Sequence, residues 1–204
     1  MKSEQVKIKF CGLRSEADIG YVNELLPDYI GFVFAKNSKR YVTPELAFRL
    51  KMELDERIVA VGVFVDEEVE NVISLLNDRV VDMAQLHGNE DDEYIMRLKV
   101  MTDAPVIKAF KIKKVDDVRK AESCVADYLL LDSGEGSGEN FDWSLLEGIK
   151  REFFLAGGLN ERNVREAIDL ISPMAVDVSS GIETGGRKDF EKMKAFYNEV
   201  RRDA

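Results

Sequence analysis

Short apolar runs recur along the chain at a nearly constant interval, separated by stretches whose apolar positions repeat every three or four residues. The runs cover residues 6–10, 30–34, 58–65, 80–86, 105–110, 128–131, 153–156 and 174–178. Eight runs spaced roughly 25 residues apart match the repeat of βα units. Thr43 reads as an N-cap with Pro44 at the first helical position, and Leu46, Leu50 and Leu54 fall on one stripe. Asp66 reads as the cap of a helix whose inward face is Val69, Val72, Ile73 and Leu76. Asn160 reads as the start of another, with Val164, Ala167, Ile168 and Ile171 inward. Phe190, Met193, Phe196, Tyr197 and Val200 form the apolar face of the last.

Eight strands, each followed by a helix, fit 204 residues only if the loops are short, and they predict one (β/α)8 TIM barrel spanning 1–204. A doubly wound sheet also alternates strands and helices. It would normally carry a phosphate-binding glycine loop after its first strand, and this chain has none.

Composition narrows the partners. A net charge of -10 repels polyanions, which argues against nucleic acid and leaves a small anionic substrate open. No stretch has the order of a signal peptide or the length of a membrane span, so a cytoplasmic protein without membrane contact is expected. The 2 cysteines read as free thiols, and the single histidine excludes multi-histidine metal sites. Neither a metal nor a cofactor is expected.

Barrel active sites lie at the carboxyl ends of the strands. Alternation along the first strand turns Val6, Ile8 and Phe10 toward the helices and Lys7, Lys9 and Cys11 toward the axis, so the Cys11 thiol sits at the mouth beside Gly12. The same parity turns Tyr128, Leu130 and Asp132 inward on the sixth strand. A carboxyl bordered by apolar groups has its neutral form favoured, as a general acid requires. The thiol and the carboxyl therefore read as a proton-transfer pair. Cys124, before the sixth strand, reads as a packing residue.

Gly157-Gly158 and Ser179-Ser180-Gly181 end the seventh and eighth runs, the two loops that often bind phosphate in barrels through backbone N–H groups. Arg40, in the basic loop 36–40 after the second strand, could clamp a carboxylate with its planar fork. Gln85 and His87 end the fourth strand and read as site-lining. Lys9, Lys108 and Asp177 point inward and predict an ion-pair layer beneath the site. The glycine-rich segment 134–138 reads as a loop that could cover substrate, and Phe141 and Trp143 as anchors of the sixth helix.

Taken in order, these motifs resemble the phosphoribosylanthranilate isomerases of tryptophan biosynthesis. The resemblance rests on Lys9-Phe10-Cys11-Gly12, Gly31-Phe32-Val33-Phe34, Ser38-Lys39-Arg40-Tyr41 and Gln85-Leu86-His87-Gly88. It continues through Leu131-Asp132-Ser133, Phe141-Asp142-Trp143, Gly157-Gly158-Leu159 and the run from Val176 to Glu183. The chain departs at Phe10, where the family commonly has isoleucine, and at Glu135, where a second glycine is usual.

The resemblance implies an Amadori rearrangement in which Asp132 protonates the furanose oxygen and Cys11, as thiolate, takes the proton from sugar C2. It implies that Arg40 holds the anthranilate carboxylate and the two late loops the phosphate, with no cofactor. It also implies a phosphorylated small-molecule substrate and a monomer or homodimer. Two alternatives stand beside it. The sister isomerase of histidine biosynthesis works with two aspartates and two phosphate sites, against which Cys11 and a single loop pair argue. A non-catalytic phosphate-binding barrel gives no reason for an inward thiol facing an inward carboxyl.

Overall fold

The computed structural model describes residues 5–132, 143–146 and 148–202. Eight parallel strands close into a barrel in sequence order: β1 (Lys7–Cys11), β2 (Tyr29–Val33), β3 (Val59–Phe64), β4 (Met83–Leu86), β5 (Val106–Lys111), β6 (Tyr128–Asp132), β7 (Phe153–Ala156) and β8 (Ala175–Val178). The described α-helices are α1 (Glu16–Leu25), α2 (Pro44–Met52), α3 (Val69–Asn77), α4 (Asp92–Met101), α5 (Val115–Glu122), α6 (Val164–Ile171) and α7 (Phe190–Arg201). Between β6 and β7 the described residues Trp143–Leu146 form a 3-10 turn where a sixth α-helix was expected. Segment 134–138 and Phe141, read as cover and anchor, lie outside the described residues. Among the described residues no helix is long and apolar enough to cross a membrane.

The predicted facing holds. Ile8 and Phe10 join the core between barrel and helices, while Tyr29, Val61, Met83, Ile107, Leu130 and Phe154 fill the barrel interior. Above that plug the axis turns polar: Lys9, fully buried, donates to Asp177 Oδ1 at 2.9 Å. Lys108 does not join this pair. It reaches the mouth instead and donates to Glu90 Oε2 and Gly88 O, each at 2.8 Å. Glu90, unremarked in the sequence, also accepts from the N–H groups of Asp66 and Gly88 and so ties three successive strand ends together.

Two helix starts differ from expectation. Asp66 does not cap α3: Glu68 is the N-cap residue, and Asp66 takes a left-handed turn at φ 49°. Its carboxylate is drawn instead to the N–H and side-chain amide of Asn89, in the loop after β4. Asn160 begins a turn, and α6 starts only after Asn163, whose Oδ1 accepts from Asn160 N at 2.8 Å. The fourth strand is also shorter than its apolar run. Arg79, at φ 55°, turns the chain so that Val80 and Val81 pack between helix and barrel before pairing begins.

The end of the barrel opposite the site repeats one device three times. Asp28, Asp82 and Asp127 immediately precede β2, β4 and β6. Their carboxylates accept from the backbone N–H of Ile8, Ala60 and Val106 on the neighbouring strand, at 2.8, 2.9 and 2.9 Å. Each also pairs with a cation near a helix C-terminus: Arg201 of α7, Lys51 of α2 and Lys99 of α4. Among the described residues the β7–β8 pair lacks the equivalent, because Met174 stands immediately before β8.

Candidate active site

Cys11 ends β1 with its side chain packed beside Val33 and Val63 at the mouth. Room for the sulfur comes from β2, where Gly31 is its register partner. Gly12 then turns the chain at φ 82°, and the Arg40 stem lies where a Gly12 Cβ would be, its Cδ only 2.3 Å from that position. The chain path thus brings Arg40, from the loop after β2, against the residue that follows the thiol.

The eighth loop closes on the same point. Ser179 Oγ donates to Cys11 O at 3.0 Å. A 3-10 turn at Ser180–Ile182 leads into a tight hairpin of β9 (Glu183–Thr184) and β10 (Arg187–Lys188), turned by Gly185 and Gly186 at φ 59° and 75°. Gly181 touches the seventh loop so closely that a Cβ there would lie 1.9 Å from Leu159 O. Asn160 and Asn163 side chains donate to Gly158 O at 3.2 and 3.1 Å, which fixes the Gly157–Gly158 turn. Cys11, Arg40, Ser179, Ser180, Gly181, Gly157 and Gly158 therefore form one continuous rim.

Gln85, His87 and Asp132 form a second group at the ends of β4 and β6. The Gln85 side-chain amide lies 3.1 Å from His87 Nδ1, and His87 Nε2 lies 3.5 Å from Asp132 Oδ2. Where that amide donates to Nδ1, the neutral ring carries its proton on Nε2, facing the carboxyl. Gln85 is buried, and its Oε1 has no hydrogen-bond partner among the described residues. A buried acceptor at a site mouth is a natural receptor for a donor on a ligand.

Electrostatics divides the groups. Burial pushes the Cys11 thiol above its ordinary pKa, and the nearby charges of Lys9 and Lys188 work against that rise while Asp177 adds to it. Burial thus opposes the thiolate that the resemblance implies for Cys11, and the two lysine charges favour it. Burial works against the charge of Lys9, yet Asp177 and Cys11 hold its pKa above the usual value. Lys188 is displaced downward, by burial first, although Glu183 opposes this. Burial would raise Glu183, but hydrogen bonds from Arg40 and Lys188 outweigh it and hold the carboxyl at about 2. Neither Glu183 nor Lys188 was assigned a role from the sequence. Glu183 stood inside a quoted motif, and Lys188 lay past the hairpin turn, so only the folded hairpin reveals them.

Similarity to known proteins runs the length of this architecture. The family description N-(5'-phosphoribosyl)anthranilate (PRA) isomerase matches residues 8–199. The N-(5'-phosphoribosyl)anthranilate isomerase of Thermoanaerobacter sp. strain X514 is 48% identical over 203 residues, covering 96% of this chain and 98% of the relative. A crystal structure of phosphoribosylanthranilate isomerase in complex with reduced 1-(o-carboxyphenylamino)-1-deoxyribulose 5-phosphate is 37% identical, with TM-score 0.85 and coverage of 96% and 98%. A structure of monomers generated from the dimeric enzyme of Thermotoga maritima is 38% identical, with TM-score 0.86 and the same coverage. With near-complete coverage at these identities, and a closed barrel on which the motif residues gather at one mouth, the chain belongs to the N-(5'-phosphoribosyl)anthranilate isomerase family.

Proposed function

We propose that Cys11 and Asp132 carry the isomerisation of N-(5-phosphoribosyl)anthranilate to 1-(2-carboxyphenylamino)-1-deoxyribulose 5-phosphate, as base and acid. The observation that carries this assignment is a thiol on β1 and a carboxyl on β6 at one barrel mouth, beside two glycine loops that touch. In the closed barrel only β7 and β8 separate these strands on the short side, so a ligand lying over the rim could meet both groups.

The chemistry balances with those two groups. Asp132 gives its proton to the ring oxygen as the C1–O bond breaks, and the anilino nitrogen lone pair forms the C1=N bond. The Cys11 thiolate then takes the C2 proton, and those electrons flow to the iminium to give an enolamine. Protonation at C1 with loss of the C2 hydroxyl proton completes the ketone. General acid–base catalysis of this kind contributes about 10²–10⁴-fold per group.

Binding divides along the rim. The amides of the Gly157–Gly158 and Ser179–Gly181 loops would receive the phosphate. Arg40 would receive the anthranilate carboxylate. Gln85 Oε1 would accept from a hydroxyl or N–H of the substrate, with His87 against Asp132 beside it. A cytoplasmic setting and a monomer or homodimer fit this reading.

Steady-state turnover followed by the loss of phosphoribosylanthranilate fluorescence tests it. Cys11→Ala and Asp132→Asn should each lose orders of magnitude in kcat while still binding the reduced product analogue, because proton transfer and not affinity has been removed. Near-normal turnover in Cys11→Ala would show the base assignment to be wrong.

A further inference from the structure

Glu183 sits at the centre of an ionic cluster that the proton transfers leave unused. Its Oε1 and Oε2 accept from Arg40 Nε and Nη2 at 2.7 and 2.8 Å, a side-on bidentate pair. Oε1 also accepts from Lys188 Nζ at 2.7 Å. The same ammonium, on a side chain only 2% exposed, donates to Ser179 O at 2.9 Å. One carboxylate is thereby shared by two cations, one facing the mouth and one beneath the eighth loop.

The consequence is an arginine fixed at both ends. Its stem lies over Gly12, next to the thiol, and its head is gripped along the Nε edge by Glu183. Bidentate pairing fixes the plane of a guanidinium as well as its position. A substrate carboxylate would then meet a guanidinium whose plane Glu183 sets. Because Glu183 and Lys188 belong to the β9–β10 hairpin and Lys188 holds Ser179, the placement of Arg40 is tied to the placement of the eighth loop.

We propose that Glu183 is a positioning residue that sets carboxylate specificity: it holds Arg40 in register with the eighth loop, so that carboxylate and phosphate of one substrate are received at a fixed separation. This rests on the reading of Arg40 as the carboxylate ligand, and the test keeps the two apart.

Two probes are needed: the reduced product analogue, and its counterpart lacking the ring carboxylate. Glu183→Gln should weaken the first about tenfold or more, as loss of a charged contact does. The second should bind as tightly as to the wild type, and the specificity constant should fall mainly through KM. Added to Arg40→Ala, the same change should cause no further loss. Arg40→Ala that still prefers the carboxylate-bearing probe would overturn the carboxylate reading and this inference with it. Glu183→Gln that keeps the preference while Arg40→Ala loses it would overturn the positioning role alone, as would equal weakening of both probes. Should Glu183→Gln fail to fold, the double variant Glu183→Gln/Lys188→Met removes the buried ammonium along with its partner. It should lose the same preference, and retention would overturn the proposal.

Discussion

Cys11 and Gly31 are register partners across β1 and β2, and a methyl group on Gly31 would lie 2.7 Å from the Cys11 Sγ and 3.2 Å from its Cα. The thiol therefore occupies space that only glycine leaves open. Gly31→Ala must displace the sulfur or spread the two strands, because the nearest obstacles are a side chain in a close-packed rim and backbone. A misplacement near 1 Å can cost on the order of 100-fold in a proton-transfer step. Gly31→Ala should lower kcat by that order with a smaller change in affinity for the product analogue. Unchanged kcat would show that the thiol position is not critical.

At the far end of the barrel, Asp28 accepts from Ile8 N and from Arg201 Nη2, both at 2.8 Å. Removing the carboxylate leaves a strand-end N–H without this acceptor and Arg201 without its ion-pair partner, still holding Val6 O. Hydrogen bonds involving charge contribute about 1.5–3 kcal/mol. Asp28→Ala should therefore lower the melting temperature by on the order of 5–10 °C in a chain of this size, with turnover at 25 °C unaltered. A large drop in kcat at unchanged melting temperature would contradict the division between a stabilising face and a catalytic face.

The parts legible in the sequence are those set by periodicity and parity. Alternation along β1 and β6 places Cys11 and Asp132 inward because successive side chains in a strand must face opposite ways. The Lys9–Asp177 pair follows from the same parity, since an inward lysine in an apolar barrel needs a carboxylate. What escaped depends on contacts between distant loops. Asp66 carries the right chemistry for a cap, yet the loop after β4 draws it away. Parity groups Lys108 with Lys9 and Asp177, and only the course of the fourth loop shows that Glu90 takes it. The Glu183 cluster joins loops 143 residues apart in sequence, beyond any local pattern.

The raised pKa of Cys11 gives a kinetic expectation. Alkylation by iodoacetamide proceeds through the thiolate. The rate at Cys11 should therefore climb about tenfold per pH unit from pH 6 through the ordinary thiol range, without an early plateau. Lys188→Met removes a cation whose charge favours the thiolate, so it should slow alkylation at any fixed pH in that range. The product analogue should protect Cys11. A plateau near neutral pH would mean that the site stabilises the thiolate more than burial opposes it.

Glu183 gives the fold a defined dependence on acid. Its carboxyl is held at about 2 in the folded chain, where hydrogen bonds from Arg40 and Lys188 overcome burial, against 4.5 for an unperturbed glutamate. A group whose folded pKa is depressed binds protons more readily when unfolded. Its contribution is complete above pH 4.5 and fades as pH falls toward 2. Each unit of difference corresponds to about 1.4 kcal/mol, so the contribution at neutral pH is on the order of 3 kcal/mol. The side chain is 10% exposed but its Arg40 partner is 29% exposed, so solvent screening brings the contribution below that figure. Denaturant unfolding of the wild type should lose stability between pH 4.5 and 2, with Glu183 supplying one part of the loss beside other depressed carboxyls such as Asp55. Glu183→Gln, with no carboxyl to protonate, should show a shallower acid limb over the same interval and lower stability at pH 7. Parallel acid limbs in the two proteins would place the acid sensitivity in other carboxylates.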